Sequence, residues 1–171
     1  MNREQIAEGL ETAFSQRGFA EPSVPELKIA SGVSLRTLYR HFPSKEAMVI
    51  GALDHRHARY LALLSQSLPA PGAEAICVLF DRLGRWMADN APHGCMSMSA
   101  FAAFPGNVHI TDSVMRHKRE VRELMGSASG RPDLAAELFL LHEGASSAWP
   151  TQGDAAIHAA QRAARRLLGD V

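Results

Sequence analysis

The four residues Ser31-Gly32-Val33-Ser34 constrain this chain more than any others. Gly32 suits the positive φ that a sharp helix-to-helix turn requires, and Ser34 can cap a following helix by accepting a hydrogen bond from a backbone N–H near Thr37. Phe42-Pro43 then stops that helix, because the residue before a proline is disfavoured in the helical region, and about two turns result. Upstream, residues 24–30 read as another short helix, with Ser23 as its cap and Pro25 in the first turn, where a missing N–H costs little. Two short helices across a glycine turn make a helix-turn-helix.

The second of these helices carries Leu35, Arg36, Thr37, Tyr39, Arg40 and His41, and Ser44 caps a further helix that begins at Lys45. Between Ser34 and Lys45 the cations are Arg36, Arg40 and Lys45, with no acid among them. Leu38 and Phe42, at i and i+4, form the buried face. In a helix-turn-helix the second helix lies in the DNA major groove and reads base edges from its N-terminal residues, while flanking hydroxyls and bases hold phosphates.

Residues 6–45 also contain Ile6, Phe14, Arg17-Gly18-Phe19, Ser23-Val24, Leu38-Tyr39, His41-Phe42 and Ser44-Lys45-Glu46-Ala47 around that turn. In these the chain resembles the DNA-binding domain of TetR-family transcriptional regulators. The resemblance implies an all-α fold: an N-terminal three-helix helix-turn-helix domain, residues 1–47, joined by a long helix to a helical effector-binding and dimerisation domain, residues 48–171. It further implies that Tyr39, His41 and Lys45 face phosphates, while Leu35, Arg36, Thr37 and Arg40 approach bases or the groove wall. Ser34 completes the expected DNA-binding set. The chain departs from the family pattern twice. Lys28 stands where a small residue usually packs beneath the recognition helix, so either the second helix is tilted or Lys28 snorkels outward. Pro22 stands where a hydroxyl often precedes the cap.

Composition adds bounds rather than direction. The 171 residues suffice for one compact unit or two small lobes sharing a helix. Eighteen Lys and Arg balance eighteen Asp and Glu, so net charge gives no support for nucleic-acid binding and only the local cationic run does. The apolar residues are periodic, with no run long enough for a bilayer and no signal-peptide layout, which makes a soluble, cytoplasmic protein without a membrane partner the expectation. Cys77 and Cys95 are too few for a disulfide scaffold.

Along the chain, Ile6, Leu10, Ala13 and Phe14 mark a first helix from Arg3 to Arg17 ended by Gly18. Gly9 inside it either permits close packing or weakens the helix locally. Residues 44–68 read as one long helix with Val49, Leu53, Tyr60, Leu64 and Leu68 on a face, a lever between the two regions; His55 and His57 on it read as solvated. After Pro69-Ala70-Pro71-Gly72 comes an amphipathic helix from Ala73 to Asn90, then a short apolar segment, residues 95–104, closed by Pro105-Gly106. Further helices are expected over residues 110–128, 133–149 and 154–168. The LAAELFLLHEGASSAW run and the alanines of the last helix are too apolar for one exposed helix pair and suit a bundle completed by a second copy.

Residues 94–117, with Gly94-Cys95, Ala100, Phe104-Pro105, His109 and His117-Lys118, also resemble one C-terminal type of the TetR family. That similarity implies an effector cavity among the middle helices and dimerisation through the last two. Trp86, Met87, Met96, Met98, Phe101, Phe104, Met115 and His117 are the candidate lining residues, since Met and aromatic side chains suit a deformable cavity for a small apolar or aromatic effector. Cys95, at a helix start, is either a reactive thiol or an inert buried one. Its neighbour His93 is too close in sequence to form a nucleophile–base pair, and neither paired carboxylates nor a phosphate loop accompany them, so no enzyme, catalytic residue, metal or cofactor is expected. The sequence thus points to a ligand-responsive homodimeric regulator, most simply a repressor, of a near-palindromic operator in double-stranded DNA. A constitutive DNA-binding regulator and a thiol-based redox sensor through Cys95 are the alternatives.

Overall fold

The computed structural model describes residues 1–20 and 22–170. Among these residues the regular structure is entirely helical: α1 (Arg3–Arg17), α2 (Val24–Ser31), α3 (Leu35–His41), α4 (Lys45–Ser65), α5 (Ala73–Asn90), α6 (Met96–Ala103), α7 (Val108–Ser129), α8 (Ala135–Gln152) and α9 (Asp154–Leu168), with a 3-10 turn at Pro132–Leu134. No helix among the described residues is long and apolar enough to cross a membrane.

Local chemistry sets most boundaries. Asn2 Oδ1 accepts from the Gln5 amide at 2.9 Å while Gln5 Oε1 accepts from the Asn2 amide at 3.0 Å, a reciprocal cap on α1. Gly18 ends that helix at φ 72°, and Gly32 ends α2 in the left-handed region at φ 66° and ψ 22°. The Glu26 carboxylate accepts from both the amide and the hydroxyl of Ser23, at 2.8 and 2.7 Å, at the start of α2. Asn107 Oδ1 accepts from the Ile110 amide at 3.0 Å, so α7 begins earlier than the apolar periodicity alone indicates.

The chain packs as two units. The first comprises Met1–Arg59 and Met96–His117, the second Tyr60–Cys95 and Lys118–Val171. Chain continuity runs through α4 at Arg59-Tyr60 and through α7 at His117-Lys118. In the first unit Ile6, Leu10, Phe14, Leu27, Leu38, Phe42, Met48 and Leu53 are buried together, joined by Met96, Ala100, Ile110 and Val114 from α6 and α7. In the second, Leu64, Ile76, Phe80, Leu83, Trp86, Met125, Leu138 and Ile157 form a separate core.

Three sequence expectations are corrected. The long helix stops at Ser65 rather than near Leu68, because Ser67 takes a positive φ of 44° in the turn that precedes Pro69. The helix expected from residue 133 starts at Ala135, since Pro132 opens a 3-10 turn first. His55 and His57 are not solvated: His55 is bonded to a buried carboxylate, and His57 stacks on His117 with ring centroids 4.1 Å apart.

Candidate nucleic-acid interface

Helix α3 is short and depends on its anchors. Ser34 Oγ accepts from the Thr37 amide at 3.1 Å and shares a 3.0 Å hydrogen bond with Thr37 Oγ1, which starts the helix and immobilises the threonine. Leu38 and Phe42 are fully buried beneath it. With that face sealed, Leu35 and Tyr39, each 43% exposed, stand on the outside together with Arg36 and Arg40. Thr37, His41 and Lys45 are half-buried, and Ser34 is exposed at the rim. Ser44 Oγ accepts from the Ala47 amide at 3.0 Å, placing Lys45 in the first turn of α4 directly after α3. The residues selected by sequence as DNA-binding thus lie within one short segment, five of them exposed and Thr37, His41 and Lys45 half-buried, with no carboxylate between Ser34 and Lys45.

The supports of this surface are unusually tight. A side chain on Gly9 of α1 would run into the carbonyl oxygen of Ala30 in α2, so close packing is the reason for that glycine. A side chain on Gly51 of α4 would strike the Phe42 ring, which lets α4 press directly on the residue that closes α3. Arg3 lies over the Phe42 ring, its guanidinium carbon 4.6 Å from the ring centroid. Lys28 is exposed, so its side chain leads outward to solvent rather than beneath α3.

Sequence reasoning missed two polar clusters in this unit. Glu11, only 4% exposed, meets Arg56, Arg59 and His55 of α4. Its position was legible, for it lies one turn after Ala7 and one turn before Phe14 on the buried stripe of α1. Asp54 accepts from His117 Nε2 and Arg116 Nη2, each at 2.8 Å, and from Ser113 Oγ at 3.1 Å. Burial alone would raise the Asp54 carboxyl, but the hydrogen bonds and charges of His117 and Arg116 outweigh it and hold the pKa at about 2. His117 Nδ1 is buried without a hydrogen-bond partner.

The expected effector residues divide between the units. Met96 is buried in the first core and Phe104 packs on it half-buried, whereas Met98, Phe101 and Met115 are exposed on α6 and α7. Trp86 and Met87 are buried in the second core, where Tyr60 lies 5.0 Å from Trp86 by ring centroids. The second unit also contains a polar chain: Tyr60 Oη is 2.6 Å from His142 Nε2, His142 Nδ1 is 3.1 Å from Glu143, and Lys118 Nζ donates to Glu143 at 2.7 Å and to Cys95 Sγ at 3.5 Å. Burial pushes the Tyr60 phenol up and the His142 imidazole down. Burial would lower Lys118 as well, but the Cys95 sulfur and the Glu143 carboxylate raise it. On α8 and α9 a groove of about 350 Å³ is lined by Leu140, Leu141, Gly144, Ala148, Ala156 and Ala163, among others, and Leu140 is 68% exposed. Among the described residues no group of three or more His, Cys, Asp and Glu could hold a metal ion.

Comparison with known proteins agrees with this architecture. Residues 6–52 match the family described as "Bacterial regulatory proteins, tetR family". The chain is similar to the HTH-type transcriptional repressor Rv3405c of Mycobacterium tuberculosis and the HTH-type transcriptional regulator Mb3439c of Mycobacterium bovis, 30% identical over 120 residues in each case. These matches take in 66% of this chain and 60% of the relatives' length. Among solved structures, SCO4454, a TetR-family regulator from Streptomyces coelicolor, superposes with a TM-score of 0.81 at 18% identity, covering 99% of this chain and 90% of that one. The reduced form of Escherichia coli NemR gives 0.79 at 22% identity, with 97% of both chains covered. At those identities the structures speak for the fold. The helix-turn-helix built on buried Leu38 and Phe42 is thus a segment of the tetR regulatory family type, residues 6–52, within an all-helical fold that is shared over nearly the whole chain with TetR-family structures.

Proposed function

We propose that this chain is a repressor that binds a near-palindromic operator as a homodimer and releases it when a small apolar or aromatic effector binds. The observation that carries the reading is the exposed, acid-free face of α3, with Arg36, Tyr39 and Arg40 outward and Lys45 beside them. In this reading residues 1–47 bind DNA, Arg36, Thr37 and Arg40 with Leu35 addressing base edges, and Ser34, Tyr39, His41 and Lys45 addressing phosphates. Residues 48–171 bind the effector and dimerise. The apolar groove on α8 and α9, which a second copy would cover, supports a two-fold dimer, and a two-fold dimer demands a palindromic site. The similar repressor from Mycobacterium tuberculosis favours repression over activation.

The test is selection of duplexes from a random pool, followed by footprinting of the winner. A palindromic consensus protected on both half-sites is expected; retention of random DNA without a consensus would sink operator recognition. An effector found by thermal shift should bind more weakly when operator is present, by the factor by which it weakens operator binding. If the two affinities are independent, the constitutive reading replaces the ligand-controlled one.

A thiol-based reading is favoured by one observation, the Lys118 Nζ donating to Cys95 Sγ at 3.5 Å, which sets a cation beside the sulfur. Alkylation of Cys95 with iodoacetamide should then change operator affinity in the native chain and leave Cys95→Ser unaffected. Equal affinity before and after complete alkylation excludes it.

A further inference from the structure

A dimer can address two half-sites only if each α3 is held at a set angle, and the paired charges of the first unit lie where that angle is decided. Glu11 Oε1 accepts from Arg56 Nη1 at 3.0 Å and from Arg59 Nη1 at 2.9 Å, and Oε2 lies 2.7 Å from His55 Nδ1. The residue before His55 points elsewhere: Asp54 is bonded to Ser113, Arg116 and His117, all on α7. Residues 54–59 of α4 thus grip α1 on one side and α7 on the other. From α1 the contact continues without slack, because Gly9 lets the helix touch the backbone of Ala30 and Ser31 at the end of α2, and Gly32 then turns into α3.

Apolar side chains would join these helices without desolvating charge, and a buried ion cluster at best matches them in stability. What the cluster adds is direction. Several hydrogen bonds converging on one carboxylate define the slide and rotation of a helix, which apolar contacts leave softer. We propose that Glu11 and Asp54 are positioning residues for operator recognition: Glu11 sets α1, and with it α2 and α3, on α4, while Asp54 ties the same turn to α7. This rests on the DNA-binding reading above, and it assigns the route by which a change at α7 reaches the recognition helix.

The experiment separates positioning from stability. Glu11→Met with Arg56→Met replaces the central buried pair by apolar side chains. It should regain the melting temperature that Glu11→Gln loses, yet bind the selected duplex roughly tenfold more weakly, a loss that a modest shift between arrangements suffices to produce. Wild-type affinity at wild-type stability would overturn the role of Glu11. Asp54→Asn, at a partly exposed site, should fold and also bind roughly tenfold more weakly, with the salt dependence unchanged because no phosphate contact is lost. An unchanged affinity overturns the role of Asp54. Hydrogen exchange of the Leu35–His41 amides gives a reading independent of DNA. Faster exchange in both variants supports the positioning role, and exchange equal to wild type refutes it, even if no duplex is selected and the DNA-binding reading itself fails.

Discussion

Gly9 and Ala30 touch through backbone alone: a Cβ on Gly9 would collide with the Ala30 carbonyl oxygen and stand 2.8 Å from Cα of Ser31. The obstacle is main chain rather than a flexible side chain, so α1 or α2 would have to move. Gly9→Ala gains about 1 kcal/mol of helix propensity and loses about 1–3 kcal/mol to overpacking, and we expect a net loss. Urea denaturation should show a lower midpoint with an unchanged slope; a midpoint raised by the substitution would mean that the two helices separate easily.

Arg36 and Lys45 should differ in what they contribute to DNA binding. Arg36→Ala, on the exposed face of α3, should relax base preference by about 1–3 kcal/mol at one operator position. Lys45→Ala should weaken all sequences alike and reduce the slope of log K against log salt by about one unit. Titrations on operator and random duplexes at several salt concentrations distinguish the two, and equal losses on both duplexes for Arg36→Ala would remove its base-reading role.

The groove on α8 and α9 makes Leu140 the position that tests the proposed dimer. Leu140 is 68% exposed, whereas Leu141 is half-buried and packs on the second core, so a charge at Leu141 would disturb folding as well as association. Leu140→Glu should give a folded monomer in sedimentation velocity. A stable dimer in that variant would place the interface elsewhere.

Two pH windows follow from the polar clusters. Asp54 is held at about 2, below its ordinary 3.8, so the unfolded chain takes up its proton first as pH falls; its stabilisation is complete above 3.8 and lost on the way to about 2. The gap in melting temperature between wild type and Asp54→Asn should close across that range. His142 is lowered from 6.5 by burial, so the unfolded chain binds a proton that the folded one refuses, and stability declines as pH drops below 6.5. His142→Gln should flatten that part of the profile, and a wild-type slope in the variant would assign the decline to another group.

The sequence by itself determined most of the helices and which side chains of α3 face outward, because those depend on neighbours within a few residues. Ser34, Gly32 and Pro43 act on their own backbone, so the turn, the cap and the stop of α3 were readable, and with Leu38 and Phe42 committed inward, Arg36, Tyr39 and Arg40 had to face outward. The last turn of α4 was less legible, since the end of a helix rests on one residue's φ, here Ser67. Only the tertiary structure decided what meets across long stretches of chain. Glu11 and Arg56, or Asp54 and His117, are partners 45 and 63 residues apart, a pairing that the periodicity of neither helix reveals, and His55 and His57, solvated by spacing, proved to be partnered. The same limit divided the expected effector residues: methionine and aromatic composition marks where adaptable side chains occur, but which of them share a core depends on how α4 and α7 pass from one unit to the other.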